Sequence, residues 1–329
     1  MVFTILLFTG SKVNPSEKFS NATEERAAPA MSFASTNTLA IPPTTPPVIP
    51  SPIPTPTQTF SPSPSPSALP EIFSSPAIQA SFIRDMDVLL NKENAEWHVM
   101  LQTVEGKFIY ERGPDQLIHP ASIIKFPIAL LFLKWYDQQE IADYDAYLDS
   151  RGTGGRTFNQ LLYAMIVKTE EQASEILVEW VSGKLDTRKT LANWGAPNTS
   201  LSPRQTTARE MTRLYTQFVS GKLISQRGTR LLTRLMEEYT PNDDTRLGIL
   251  RQFQPPGYRF YNKRGSLADS RLIVADAAVI ELPTNRGKST FIFQMYGFPG
   301  KSPPAVTYEE LDETIARAAR LFWRYLQEK

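Results

Sequence analysis

Ser122 and Lys125 form the only Ser-x-x-Lys pair in the chain, within His119-Pro120-Ala121-Ser122-Ile123-Ile124-Lys125-Phe126-Pro127. Residues three apart share a helix face, so the hydroxyl and the amine point together while Ile123 and Ile124 turn into a core. Pro120 and the polar Ser122 suit a helix start. In a first turn the Ser122 N–H has no intrahelical partner and sits at the positive end of the helix dipole. One residue then offers both a nucleophilic oxygen and an oxyanion donor. Lys125 can deprotonate that hydroxyl if burial and a second cation lower its pKa. An N-capping serine followed by a solvated lysine satisfies the same four letters, so the pair needs supporting residues. Two stretches supply candidates: Thr169-Glu170-Glu171, after Leu161–Lys168, and Lys263-Arg264-Gly265-Ser266. Taken singly, the first is also a helix start with an N-cap threonine and first-turn acids, and the second a surface strand with a bend.

Composition narrows the chemistry. The 329 residues contain no cysteine and two histidines, His98 and His119. That excludes disulfide scaffolds, zinc fingers, iron–sulfur clusters and cysteine nucleophiles, and leaves little room for a histidine-rich metal site or a Ser-His-Asp triad. Hydroxyls, lysines and carboxylates remain. With 35 basic against 34 acidic residues and a net charge of +1, no broad field favours nucleic acid or an anionic membrane. Asp85, Asp87, Asp243 and Asp244 look like solvated or capping acids rather than metal ligands. His98 reads as structural, Trp180 and Trp323 as packing residues, and Trp194 as the anchor of a loop.

The elements that must position these residues occupy the C-terminal three-quarters of the chain. Twelve of the 27 prolines fall between Ile41 and Pro70, where no side chain is charged. Such a Pro/Ser/Thr-rich stretch cannot build a core and reads as an extended spacer. Ahead of it, Met1–Phe8 is apolar but too short to span a bilayer and lacks a basic lead-in. It is expected to be the end of an export signal or membrane anchor. The division is therefore 1–75 as apolar start and linker, and 76–329 as one folded domain. Within the latter, helical periodicity over Ala77–Asn94 is followed by a hairpin, Trp97–Thr103 with Lys107–Glu111. A helical zone then covers Ser122–Gln138, Phe158–Ile166, Glu171–Val181, Thr206–Phe218 and Ser225–Tyr239. Strand character returns at Tyr258–Arg264, Leu272–Leu282 and Ser289–Gly297, and an amphipathic helix closes at Tyr308–Gln327. This order predicts one antiparallel sheet with a helical block, about 122–240, inserted into it.

Ser122–Lys125, Thr169–Glu171 and Lys263–Gly265, in this order and within these elements, resemble the three motifs of the class A β-lactamase family and its penicillin-binding relatives. Arg204-Gln205-Thr206-Thr207 followed by Glu210-Met211 is similar to the end of the family's Ω-loop and its next helix. The resemblance spans essentially the whole folded region. It implies an α+β fold, an αβα sandwich with an antiparallel sheet and an inserted all-helical subdomain, and an active-site cleft between the two parts. It also implies roles: Ser122 as the nucleophile that becomes acylated, Lys125 as its base, and Thr169 passing a proton to the leaving nitrogen. Lys263 would orient that hydroxyl, lower the pKa of Lys125 and attract the substrate carboxylate. The Ser266 N–H would be the second oxyanion donor, and Gly265 would let substrate lie along the strand edge.

Several residues depart from the pattern. Glu171 stands where the family has an asparagine that binds the substrate's amide side chain, and an ionised carboxylate accepts but cannot donate. Arg264 replaces a threonine that contacts the substrate carboxylate, a contact a guanidinium can make with different reach. No glutamate occurs between Lys184 and Gln205, where the family carries the base that activates the deacylating water. Gln205 replaces the acidic member of the usual salt bridge. The expectation is a class A β-lactamase-like serine hydrolase acting through a Ser122 acyl-enzyme on β-lactams or related peptidoglycan-like amides. It would need no metal or cofactor, act as a monomer without nucleic-acid partners, and lie outside the cytoplasm of a bacterial-type cell, tethered through its N-terminus. Two alternatives stay open: a penicillin-binding or peptidoglycan-peptidase protein, and a non-catalytic cell-wall-binding module on the same fold.

Overall fold

A computed structural model of the chain describes residues 75–327, apart from 93, 140, 142, 240–244, 269–270, 285–286 and 304. The apolar start, the proline-rich segment, Asp243 and Asp244 lie outside the described residues. The first helix, α1 (Pro76–Asn91), precedes the antiparallel strands β1 (Ala95–Thr103) and β2 (Phe108–Arg112). A 3-10 turn, Ala121–Ile124, runs straight into α2 (Lys125–Asp137). There follow α3 (Tyr144–Ser150), the short strands β3 (Gly152–Thr153) and β4 (Arg156–Thr157), α4 (Phe158–Ile166), α5 (Glu171–Ser182) and α6 (Thr187–Asn193). A two-residue hairpin, β5 (Ser200–Leu201) with β6 (Arg204–Gln205), leads to α7 (Ala208–Val219) and α8 (Gln226–Glu238). After a 3-10 segment at Arg246–Phe253 come the long strands β7 (Arg259–Leu267), β8 (Ile273–Thr284) and β9 (Gly287–Pro299), then α9 (Tyr308–Gln327).

The main sheet is antiparallel throughout, in the order β2-β1-β9-β8-β7, which leaves β7 at an edge. Both faces of the central strands are buried. Along β9, Phe291, Phe293 and Met295 pack with α1 and α9, whereas Ile292 and Tyr296 join the core of the helical block. Period-2 alternation therefore separates two apolar cores instead of core from solvent, which is why β8 and β9 read as almost continuous apolar runs. One layer is closed by Phe82, Met86 and Leu90 of α1 and by Leu311, Ile315, Phe322 and Leu326 of α9. The other centres on α2, whose residues from Lys125 to Leu133 are all buried; a helix apolar all round belongs inside a bundle. Each fully buried Leu, Ile or Phe contributes about 1.5–3 kcal/mol, so α2 is the post to which the turn bearing Ser122 is fixed.

The expected α+β sandwich with its helical insertion is the observed architecture. Two helices had no sequence expectation: α3 and α6, seven residues each, are too short to show a period. Their Asx caps form them: Asp143 accepts from the Ala146 N–H at 3.0 Å and Asp186 from the Lys189 N–H at 2.9 Å. His98 is buried with Nδ1 2.8 Å from the Gly113 carbonyl oxygen. Trp180 packs edge-on to Phe158, and Trp323 stacks on Phe253. Asp85 accepts from Arg324 and Tyr325, and Asp87 from Tyr110. Among the described residues no helix is long and apolar enough to cross a membrane, and no group of three His, Cys, Asp or Glu residues could hold a metal ion.

Candidate active site

Three chain segments meet where β7 passes the head of α2. The first is the 3-10 turn carrying Ser122. Ala121 takes φ +48°, a left-handed conformation unusual for alanine, and turns the chain so that Ser122 stays part-exposed between buried neighbours. The turn is pinned by the Ile123 N–H donating to Pro120 O at 3.1 Å and by a two-bond bridge between Ile118 and Thr206. His119 accepts from the Ala121 N–H through Nδ1 at 3.1 Å. Its pKa is lowered by burial and by the charges of Arg204 and Arg271, with Glu171 opposing, so it is a neutral ring with Nε2 protonated.

Lys125, one turn on, is 1% exposed. Its Nζ donates to Ser122 Oγ at 3.1 Å, Thr169 O at 2.9 Å and Glu171 Oε2 at 2.9 Å. As an ammonium Nζ donates to all three; as an amine it keeps a lone pair that can face the Ser122 hydroxyl. Burial lowers its pKa, helped by Arg204 and opposed by the hydrogen bond and charge of Glu171. The spacing expectation, a shared face for hydroxyl and amine, is met as a hydrogen bond.

The second segment joins α4 to α5. Thr169 also has a positive φ, +59°, and the turn is held by the Glu170 N–H donating to Ala164 O at 2.9 Å and by an Arg156–Glu170 ion pair of 2.5 Å. This conformation aims the Thr169 carbonyl at Lys125 and its hydroxyl at Lys263, whose Nζ is 2.9 Å from Oγ1. Thr169 thus bridges the two lysines. Glu171 opens α5, where the positive helix end favours its charge. Its other oxygen pairs with Arg204 of the β5–β6 hairpin. Burial pushes the Glu171 carboxyl up, but Arg204 and Lys125 outweigh this and hold it below the usual carboxylate range. In this structure Glu171 is therefore the centre of an ion-pair chain rather than an unengaged substrate contact.

The third segment is the edge strand. Lys263 is fully buried, with Nζ 4.1 Å from the centre of the Tyr239 ring. Burial lowers its pKa well below the usual lysine value, the charge on Lys125 adds to this, and Asp276 opposes it. Gly265 explains how β7 approaches so closely: a Cβ there would stand 3.0 Å from Ala121 Cβ, Pro120 O and Ser122 N. Arg264 is engaged with Thr245, through Oγ1 at 2.8 Å and the carbonyl at 2.7 Å, and lies 3.6 Å from Asp276. A substrate carboxylate would compete with those partners. Two depressions flank the site, of about 560 Å³ beside Arg264 and Ser266 and about 740 Å³ beside Tyr163 and Glu170.

Ser122, Lys125, Thr169, Glu171 and Lys263 are thus brought together by direct contacts, with Gly265 against the nucleophile turn. Ser266 lies beside them, and its hydroxyl accepts from Arg246 at 2.8 Å. Four residues had no site role in the sequence reading. Arg246, 3% exposed, also donates to Gly265 O, Ala275 O and Asp312, and so braces the Gly265–Ser266 stretch of β7 from behind. Asp276 takes Asn262 at 2.8 Å and the Leu247 N–H at 3.2 Å. Tyr239 supports Lys263, and Arg204 enters the site itself. The first two follow single charged letters inside otherwise apolar or irregular stretches, the one signal available.

The segment between α6 and α7 has its own anchor. Glu210, 6% exposed in the first turn of α7, accepts from the Asn198 N–H at 2.9 Å, Asn198 Nδ2 at 2.8 Å and Thr199 Oγ1 at 2.7 Å. The hairpin returns at once, pairing Ser200 with Gln205 and Leu201 with Arg204. That brevity carries Arg204 to Glu171.

Comparison with known proteins agrees with the fold. Residues 81–326 match the family described as the Beta-lactamase enzyme family. Among solved structures, a β-lactamase from Chitinophaga pinensis DSM 2588 superposes with a TM-score of 0.59 at 16% identity, covering 74% of this chain and 98% of that one. The TLA-1 extended spectrum β-lactamase gives 0.60 at 18% identity, covering 76% and 99%. PBP-A gives 0.56 at 18% identity, covering 76% and 95%. No curated protein matches the chain.

Proposed function

We propose, for a chain that belongs to the beta-lactamase enzyme family, that it is a serine hydrolase acting through acylation of Ser122 on β-lactams or related peptidoglycan-like amides. The observation that carries this reading is the unbroken run of contacts from Ser122 Oγ through Lys125 and Thr169 to Lys263. Lys125, kept basic enough to accept yet depressed by burial, takes the hydroxyl proton as Ser122 Oγ attacks the carbonyl carbon. The Thr169 hydroxyl, held by Lys263, returns a proton to the leaving nitrogen. The N–H groups of Ser122 and Ser266 receive the developing oxyanion. The sheet edge at Gly265 supplies the wall along which a substrate lies.

A mutant of PBP-A among the structural neighbours was solved as an acyl-enzyme complex with penicillin G, which makes a penicillin the natural probe. A penicillin-binding reading is favoured by the hairpin itself, since no glutamate lies between Lys184 and Gln205 to activate water. The domain, residues 76–329, would work outside the cytoplasm on the 1–75 tether. The test is incubation of the protein with a chromogenic cephalosporin and a fluorescent penicillin, with Ser122→Ala as control. Turnover supports the hydrolase, and a stable Ser122-dependent adduct supports penicillin binding. Absence of both removes acyl transfer to these reagents and leaves a binding module.

A further inference from the structure

Acylation leaves Ser122 esterified, and hydrolysis then needs a base beside the ester. Resting on the acyl-transfer reading above, the geometry points to Glu171 as that base, the group that takes a proton from the deacylating water. Glu171 Oε2 and Ser122 Oγ both touch Lys125 Nζ, at 2.9 and 3.1 Å, so they are at most about 6 Å apart. That is the span one water molecule bridges with two ordinary hydrogen bonds. Glu171 is half-exposed, with 48% of its side chain accessible, so water reaches it from the cleft. Its place is fixed from two sides by Lys125 and Arg204, the charged groups that face it, with the neutral His119 ring nearby. Glu210, the other glutamate near the hairpin, is buried and fully occupied with Asn198 and Thr199.

The step balances without a further reactant. Water oxygen bonds to the ester carbonyl carbon as one of its protons moves to Glu171. The tetrahedral adduct collapses, breaking the bond between that carbon and Ser122 Oγ. The proton on Glu171 passes to the Lys125 amine across their 2.9 Å contact, and Lys125 gives one to Ser122 Oγ across the 3.1 Å contact, so both return to the amine and carboxylate from which acylation starts. The products are the free acid and the serine hydroxyl. Arg204 holds the carboxylate in place and at the same time lowers its basicity.

The test separates the two half-reactions on the full chain. Adduct formation with a fluorescent penicillin is timed first, then adduct loss after excess reagent is removed. Glu171→Gln is expected to hold its adduct at least about 100-fold longer, the usual effect of losing a positioned base, and to slow adduct loss by more than it slows adduct formation, which it reaches only through its bond to Lys125. Glu171→Asp should restore part of the loss. Arg204→Ala should keep deacylating, with the acid limb of the deacylation rate moved to higher pH, a change that a merely structural Glu171 would not produce. An unchanged adduct lifetime in Glu171→Gln overturns the assignment, as does a parental adduct that never decays. No parental adduct at all refutes the acyl-transfer reading instead, and the assignment with it. Circular dichroism matching the parent establishes that the variants are folded.

Discussion

A single methyl group at position 265 should damage both the stability of the protein and its acylation. Gly265 has ordinary backbone angles, so Gly265→Ala adds no conformational strain, and its effect comes from space alone. The new Cβ meets Ala121 Cβ, Pro120 O and Ser122 N, each at 3.0 Å, where ordinary contact begins at 3.4 Å. Two of the three are backbone atoms, and neither side yields easily. The turn is fixed by its bridge to Thr206, and β7 is paired to β8 and gripped by Arg246 through Gly265 O. A shift of a few tenths of an ångström must be shared between them. Overpacking of this kind costs about 1–3 kcal/mol. At about 2–4 °C per kcal/mol for a domain of this size, Tm should fall by about 2–12 °C. Because the shift separates Ser122 N from the β7 edge, acylation by a fluorescent penicillin should slow about 10- to 100-fold, as misplacements below 1 Å do in preorganised sites. Gly183→Ala is the control: its Cβ would sit 3.6 Å from its nearest neighbours at a helix end with negative φ, and Tm should hold or rise. Parental Tm and parental acylation in Gly265→Ala would refute the close-approach reasoning.

Arg246→Ala should be strongly destabilising, by about 1–3 kcal/mol in denaturant titration, because it leaves two buried strand carbonyls without their donor and the part-exposed carboxylate of Asp312 without its partner. Acylation should fall with it, since the Ser266 end of β7 loses its brace. Lys263→Met should behave oppositely, abolishing acylation while leaving stability at neutral pH equal or higher. The sign follows from burial. The folded state holds Lys263 with a depressed pKa, so it binds fewer protons than the unfolded chain, and stability rises with pH up to the ordinary lysine range. The advantage of Lys263→Met over the parent, measured by urea unfolding, should therefore shrink between pH 7 and pH 10.

Much of the scaffold could be read along the chain because burial imposes a period. Phe82, Met86 and Leu90 in α1 and Leu311, Ile315, Phe322 and Leu326 in α9 recur at helical spacing, and β9 alternates at spacing two. Short helices were lost for want of turns over which a period could appear. In the site, Ser122 and Lys125 were legible as a pair because three residues along a helix fix their separation, and the family's motif order brought in Thr169 and Lys263. The role of Glu171 was not legible in the same way. Its expected place opposite a substrate amide came from position in a motif, whereas its two partners come from α2 and from a hairpin 33 residues downstream.

The sequence by itself narrowed the chemistry available: with no cysteine and two histidines, hydroxyls, lysines and carboxylates are the groups that remain. It also determined the order of elements, through patterns that depend only on near neighbours. Tertiary structure decided which charges meet. Arg204 reaches Glu171 because the hairpin is cut to two residues per strand, Arg246 grips β7 from behind, and Gly265 allows that strand to touch the turn bearing Ser122. Such contacts join residues far apart in the chain, and their energies depend on desolvation and on ångström distances between side chains. Neither quantity has a repeat in the sequence, so both emerge only when the sheet and the helical block have packed together.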